Sequence, residues 1–165
     1  MRKYCAGVML MAGSWMAFGA GAVADPCTFQ LYGTDSMMYM DAATGGKKVD
    51  KITIPGSCKA YTVHLRHAGT LPLAAMGHNW LLVDPVHFND VNNSAISAGT
   101  TGHYLPKDRT NLLAGSTKLL GGGANEPKDE KIAVDTSKLT KGKSYKGFCS
   151  FPGHFAMMSM EVVVQ

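Results

Sequence analysis

The 165-residue chain is poor in charged and aromatic residues, which make up 17% and 8% of it. So few charges argue against a disordered chain and against a protein that binds nucleic acid. No internal repeat of fixed period is visible, which argues against a solenoid. With 45% hydrophobic residues, the chain is suited to a single globular domain that builds its own core.

The chain also lacks a hydrophobic run that would anchor it in a membrane, because its N-terminal apolar stretch is short and rich in small residues. Arg2 and Lys3 precede this stretch, and Ala22-Val23-Ala24 follows it as an A-x-A cleavage site. These features predict a secretory signal peptide at residues 1–24. We therefore expect residues 25–165 to be exported as one domain, with no membrane insertion after cleavage.

Cysteine is scarce, and the positions of the few cysteines are informative. Three remain after residue 24, namely Cys27, Cys58 and Cys149. In an oxidising compartment two of them are expected to pair, and the third needs a reason to stay free. Cys149 lies among residues of a different chemical character near the C-terminus. We favour metal ligation for Cys149 over a buried structural thiol, since a free exported thiol would risk oxidation or mispairing.

The hydrophobic pattern of the exported part predicts an all-β domain. Apolar and polar side chains alternate with the period of a half-buried strand at 61–66, 132–134 and 160–164. Further short strands are predicted at 29–32, 79–83, 112–113 and 145–149. Turn signals separate these segments, which predicts an antiparallel sandwich with Greek-key connections.

One segment, residues 84–101, does not follow the strand pattern. It lacks alternation, and Asp84-Pro85 is typical of the first residues of a helix. We therefore expect a loop that carries a short helix over residues 85–98.

The residues with ligand chemistry are concentrated near the C-terminus. A thiolate at Cys149, an imidazole at His154 and thioethers at 157–158 lie on a turn shaped by Pro152-Gly153. A second imidazole lies upstream at His78. Two imidazoles and one thiolate, with a weak axial thioether, form the ligand set of a blue-copper electron-transfer site.

Two adjacent methionines compete for the axial position, and the parity of the following strand favours one of them. Alternate side chains of a strand share a face. Met158 shares its face with apolar side chains, at Met160, Val162 and Val164. Met157 shares its face with a mixed set suited to solvent, Ser159, Glu161 and Val163. We therefore assign Met158 as the axial ligand and Met157 to the surface.

These segments resemble the azurins, which are bacterial periplasmic blue-copper carriers. The resemblance covers most of the exported part and includes Met-Gly-His-Asn-Trp at 76–80 and Phe-Cys-Ser-Phe-Pro-Gly-His at 148–154. It implies a cupredoxin-like Greek-key β-sandwich with one short helical flap. The chain departs from the family in a longer segment near 42–50 and in a rebuilt flap at 84–105.

The resemblance also implies roles for individual residues. It places three ligands in the trigonal plane of one copper ion, namely His78, Cys149 and His154. It assigns the axial position to Met158 and a distant contact on the opposite side to the carbonyl oxygen of Gly77. The single disulfide of the family falls on Cys27 and Cys58.

An apolar docking surface is expected around His154. If the upstream loop and the ligand loop meet at one end of the sandwich, their apolar side chains surround the exposed edge of this imidazole. Exposed apolar patches of this kind often mark transient docking sites. We call this set the apolar patch, and its members are Leu71, Ala75, Met76, Phe151, Pro152, Ala156 and Met157.

The function that the resemblance implies is electron transport. A mononuclear type 1 copper centre would cycle between Cu(I) and Cu(II) and pass single electrons between periplasmic redox proteins, such as c-type cytochromes and a terminal reductase or oxidase. The sequence offers no nucleophile–base pair and no open catalytic metal position, so we do not expect an enzyme. A periplasmic copper-trafficking protein and a zinc-binding structural domain stay open as alternatives.

Two further polar residues carry predictions about structure. Asn79 can hydrogen-bond the backbone of the Cys149 loop, although a turn asparagine is the alternative. His64 alternates with Val63 and Leu65, and we expect it to lie on the surface of a strand.

Overall fold

Nine β-strands form two sheets packed face to face within residues 25–165, the part of the chain that a computed structural model describes. The predicted signal peptide at 1–24 lies outside the described residues. The strands are β1 Thr28–Thr34, β2 Met38–Met40, β3 Lys51–Ile54, β4 Tyr61–His67, β5 Leu81–Val83, β6 Leu113–Ser116, β7 Asp129–Val134, β8 Ser144–Phe148 and β9 Ser159–Val164.

The strands are divided between a four-stranded sheet and a five-stranded sheet. The first has the order β2-β1-β4-β7, and the second has the order β3-β9-β8-β5-β6. Alternate residues of β4 and β9 point into the space between the sheets, where Val63, Leu65 and Val162 are at most 1% exposed. Trp80 lies in the same core and is fully buried. The alternation in the sequence thus identified the inward faces of these strands.

The predicted sandwich is confirmed, but its pairing is only partly antiparallel, because two of the seven strand pairs are parallel. β1 pairs in parallel with β4, and β3 pairs in parallel with β9. The chain leaves the first sheet after β2, contributes β3 to the second sheet and returns, so β4 enters beside the start of β1. Cys27 and Cys58 precede these two strands and form the disulfide that the resemblance implied. This crosslink holds the two strand starts side by side.

His64 is buried, which contradicts its predicted surface position. Its side chain is only 3% exposed, and its Nε2 lies 2.8 Å from a carboxylate oxygen of Asp129. The reason is that β4 is an inner strand of its sheet, with β1 on one side and β7 on the other. On the outward face of this strand, His64 is covered by Asp129 of β7 and by Arg66, whose Nε lies 3.3 Å from His64 Nε2.

Within residues 25–165, two α-helices lie outside the sheets, α1 at Leu73–Met76 and α2 at Phe88–Ala98. The predicted helix start is confirmed, since the Asp84 carboxylate accepts a hydrogen bond from the Val86 backbone N–H and Pro85 opens the first turn. The flap helix α2 packs on the sandwich through Val91 and through Phe88, whose ring meets Phe148 edge-on at 4.9 Å. None of the helices in residues 25–165 has the length and apolar character needed to cross a membrane.

Candidate metal centre

The segments that carry the predicted metal ligands meet at one end of the sandwich. β1, β4 and β8 end there, while β5 and β9 begin there. The connection from β4 to β5 carries His78, and the connection from β8 to β9 carries Cys149 and His154. Side chains far apart in the sequence therefore meet because the loops that carry them share one edge of the fold.

Three of the predicted ligands form a buried cluster. The ligand atoms of His78, Cys149 and His154 lie within 4.8 Å of one another, and the Cys149 sulfur is 3.8 Å from Nδ1 of His154. His78 and Cys149 are fully buried, and His154 is 3% exposed. Only a narrow edge of His154 therefore reaches the surface, less than the exposed edge that the sequence suggested.

One ring nitrogen of His78 has a hydrogen-bond partner, and the other has none. Its Nε2 lies 2.9 Å from the Thr34 carbonyl oxygen, while its buried Nδ1 has no hydrogen-bond partner. Burial and the neighbouring imidazoles lower the pKa of His78 to about 3, so the ring is neutral at physiological pH. If Nε2 carries the proton, Nδ1 presents a lone pair, and a buried lone pair without a donor is what a metal ion would satisfy.

The surroundings of His78 fix the plane of its ring. The ring stacks on His67 with a centroid distance of 4.8 Å. On another side lies Gly33, where an added Cβ would come within 2.7 Å of the His78 ring. His67 is itself fixed, since its Nε2 lies 2.9 Å from the Met76 carbonyl oxygen. The imidazole therefore has little freedom to rotate away from the cluster.

Cys149 is an isolated thiol with a polar lining. Burial raises its pKa to about 11, although the N–H groups of Asn79 and Phe151 and the hydroxyl of Tyr39 act in the opposite direction. The free thiol is therefore protonated at neutral pH, and a cation must displace that proton to form the thiolate. The N–H groups around the sulfur are then donors to the negative charge.

Asn79 ties the two ligand-bearing loops together, as predicted. Its Oδ1 accepts a hydrogen bond of 2.9 Å from the Ser150 backbone N–H, and its Nδ2 donates to the Ser150 hydroxyl at 2.8 Å. The same amide nitrogen donates to the carbonyl oxygen of His103 in the flap at 3.0 Å. One buried side chain thus connects the His78 loop, the Cys149 loop and the flap.

One of the two adjacent methionine side chains points into the protein and the other points to solvent, as strand parity predicted. Met158 is fully buried and Met157 is 51% exposed. The Cys149 N–H donates to the Met158 carbonyl oxygen at 3.0 Å, which brings the two residues together across the ligand loop. Gly77 is buried beside His78, and an added Cβ there would come within 2.6 Å of the Leu73 carbonyl oxygen.

The predicted apolar patch is exposed only in part. Leu71 is 41% exposed, and Ala75, Pro152, Ala156 and Met157 are also exposed, whereas Met76 and Phe151 are half-buried. Met37, which was not assigned to the patch, is 36% exposed. It lies two residues after Asp35, whose carboxylate accepts a hydrogen bond from the Thr70 N–H at 2.8 Å. No local sequence pattern predicts the bond between Asp35 and Thr70, because it joins two loops that are far apart along the chain.

A two-sheet sandwich that buries a thiol and two imidazoles at one end is the arrangement of the cupredoxins, the class of proteins that hold a type 1 copper ion. A family model described as copper-binding proteins of the plastocyanin/azurin family matches residues 46–165. The chain therefore belongs to the plastocyanin/azurin family of copper-binding proteins.

Individual relatives agree with this assignment. The chain is 38% identical to an azurin of Bordetella pertussis strain Tohama I over 157 residues, which cover 95% of this chain and 93% of the relative. It is 36% identical to an azurin of Pseudomonas aeruginosa over 132 residues, 80% of this chain and 93% of that one. A solved azurin, Az-iso2 of Methylomonas sp. strain J, superposes with a TM-score of 0.71 at 29% identity, covering 84% of this chain and 98% of that one.

The family membership defines the biochemical role. The protein is a type 1 copper electron carrier, and copper is its cofactor. Like the azurins, it passes electrons to and from other redox proteins. Carriers of this family are generally not enzymes.

We predict that Asn79→Ala destabilises the metal-free protein. The substitution removes at least three hydrogen bonds of this buried side chain, each worth about 1 kcal/mol, so the free energy of unfolding should fall by about 3 kcal/mol. Denaturant titration of the apoprotein measures this change. Asn125→Ala in an exposed loop is the control and should change stability by less than about 0.5 kcal/mol. If the two variants lowered the free energy of unfolding equally, the Asn79 hydrogen bonds would not contribute to stability.

Proposed function

We propose that one copper ion binds to His78, Cys149 and His154, with the Met158 thioether as a weak axial ligand and the Gly77 carbonyl oxygen as a distant contact. The observation that carries this proposal is the buried Nδ1 of His78, which has no hydrogen-bond partner and belongs to the same cluster as the Cys149 thiol. A bound ion would satisfy this nitrogen. When bound, copper supplies a centre that accepts and releases one electron.

The residues of the chain hold this centre in one arrangement. The Thr34 carbonyl and the His67 ring fix His78, while the Asn79 side chain fixes the backbone next to Cys149. Because these contacts do not involve the ligand atoms, they persist whichever charge the centre carries. Little protein rearrangement is then needed during electron transfer, and the burial of the ligands keeps water away.

The alternative of copper trafficking has less support. A protein that hands over its metal needs ligands that a partner can reach, whereas the three proposed ligands are at most 3% exposed. Electrons, unlike ions, can leave through a narrow edge of His154. The burial of the cluster therefore favours a carrier of electrons over a carrier of copper.

We infer that redox partners dock on the apolar patch next to His154. The partners that fit the family are periplasmic redox proteins, such as c-type cytochromes and a terminal reductase or oxidase. We further infer export to the periplasm, because residues 1–24 have the pattern of a cleaved signal peptide and a disulfide of this kind forms in oxidising compartments. Residues 25–165 would then act as a single mature domain.

The ligand role of Cys149 predicts the outcome of its replacement. Cys149→Ser should abolish the intense blue charge-transfer band of the copper-loaded protein, since the band requires the thiolate, and should leave a folded protein by circular dichroism. The double variant Cys27→Ala/Cys58→Ala removes the two remaining mature cysteines far from the cluster and should stay blue. A blue Cys149→Ser protein would refute the proposed copper site.

The axial assignment predicts different effects at two adjacent positions. Met158→Gln should lower the reduction potential and change the EPR pattern, because a harder amide oxygen favours Cu(II) over the thioether sulfur. Met157→Gln makes the same chemical change on an exposed side chain and should alter both properties only slightly. Cyclic voltammetry and EPR of the two proteins decide between them. The reverse pattern would assign the axial role to Met157.

The docking inference predicts slower electron transfer when a charge enters the apolar patch. Ala75→Asp or Met157→Lys should slow electron self-exchange by about tenfold or more, because like charges are brought together when two copies meet. The visible spectrum should hardly change. Ala60→Asp places the same charge on an exposed residue at the far end of the sandwich and is the control. Wild-type exchange rates in both patch variants would place the electron exit elsewhere.

A further inference from the structure

The methionines of residues 25–165 differ strongly in their access to solvent. Met157 is 51% exposed and Met37 is 36% exposed. The others are half-buried or buried, namely Met38, Met40, Met76, Met158 and Met160. A thioether at the surface can react with dissolved oxidants, whereas one in the core is protected by its neighbours. The two exposed methionines are therefore the thioethers with a chemistry of their own.

Backbone contacts hold Met37 next to the ligand cluster. Its N–H donates to the Thr34 carbonyl oxygen at 3.0 Å, and the same oxygen lies 2.9 Å from Nε2 of His78. Met37 has a left-handed backbone with φ of 54°, which is uncommon for a side chain of this size. The Asp35 carboxylate fixes this turn against the loop of the apolar patch through the Thr70 N–H, at 2.8 Å. Met37 is thus kept in place by contacts with distant segments.

Met157 is held beside the other imidazole. Its N–H donates to the His154 carbonyl oxygen at 3.0 Å. The rings of His154 and His78 lie close together, with a centroid distance of 5.2 Å. Both exposed methionines therefore lie at the end of the sandwich where docking is proposed, and Met157 belongs to the apolar patch itself.

We propose that Met37 and Met157 form a reversible oxidation site that controls docking on the apolar patch, with hydroperoxides such as hydrogen peroxide as the oxidant. The thioether sulfur takes one oxygen atom from the peroxide. The O–O bond breaks, an S–O bond forms, and water leaves, so the sulfur is oxidised by one electron pair and the peroxide is reduced by the same pair. The product is methionine sulfoxide, which reductases convert back to methionine. The inference rests on the docking surface proposed above.

A sulfoxide changes the docking surface without changing the proposed ligands. The sulfoxide group is polar, and docking would remove its water. The neighbouring members of the patch, such as Leu71, Ala75 and Pro152, have no side-chain donor that could replace that water. Burial of a polar group without a hydrogen-bond partner is costly, so the oxidised surface should dock more weakly. Cys149 and Met158 are fully buried and should stay unmodified.

Treatment of the copper-loaded protein with hydrogen peroxide tests the proposal. The Cu(II) form is used, so that the metal has no electron to give to the peroxide. Peptide mapping by mass spectrometry should find one added oxygen atom first at Met157 and Met37, and only later at the half-buried methionines. Electron self-exchange should slow by about tenfold, as expected for one polar group buried without a partner. The blue band should persist, and sulfoxide reductases for both sulfoxide epimers should restore the exchange rate.

Two variants separate the exposed methionines from the rest, each protein being compared with itself before and after treatment. Met37→Leu/Met157→Leu removes both sulfurs and keeps apolar side chains, so peroxide should leave its exchange rate unchanged. Met40→Leu is the matched control, because Met40 is a half-buried methionine at the far end of β2 from Met37. This variant should stay as sensitive to peroxide as the wild type. If the double variant does not fold, the wild-type measurements decide alone.

The results distinguish failure of the oxidation site from failure of the docking surface. An unchanged exchange rate after complete oxidation of Met37 and Met157 would overturn the oxidation site, provided that Ala75→Asp and Met157→Lys slow exchange. Preferential oxidation of the buried methionines would also overturn it. Wild-type exchange rates in both charge variants would overturn the docking surface and the oxidation site together. A wild-type protein without a blue band would instead refute the proposed ligand set.

Discussion

The arrangement of the site depends on burying one thiol and two imidazoles within 4.8 Å of one another. Polar groups in an apolar interior are costly unless each has a partner. The protein supplies partners to the atoms that face away from the cluster, as the Thr34 carbonyl does for Nε2 of His78. The atoms that face inward are left for a cation. The inward-facing donor atoms are therefore available to bind a metal ion and are not used to stabilise the fold.

The supporting contacts come from both sheets, and this explains why a sandwich suits the task. β1 provides Thr34, β2 provides Tyr39, and the loops at the ends of β4 and β8 provide the proposed ligands. His78 is therefore fixed by a strand to which it is not adjacent in sequence. A centre held in this way resists rearrangement when its charge changes by one, which is the requirement that electron transfer places on a protein.

Where the pattern is local, the sequence predicted which side chains the fold gathers or buries. Cys149, His154 and Met158 lie close together along the chain, and strand parity separated Met158 from Met157 without any structural knowledge. Sequence analysis failed where distant segments decide the outcome. His64 was expected on the surface because its own strand alternates, yet the strands beside it and the carboxylate of Asp129 enclose it. The sequence also contained no sign of the parallel strand pairs or of the hydrogen bond from the Tyr39 hydroxyl to the Asn79 carbonyl. Both depend on how the chain crosses between the sheets.

The flap, where the sequence analysis expected a departure from the family pattern, is anchored next to the proposed ligands and not only on the sandwich. His103 and Tyr104 both adopt left-handed backbone conformations, with φ of 55° and 48°, which cost about 1–2 kcal/mol for residues other than glycine. Their carbonyl groups accept hydrogen bonds from the side chains of Asn79 and Ser150, respectively. These bonds offset the strain and explain why the backbone persists in this form. The side chain that joins the two ligand loops therefore also determines where the flap ends.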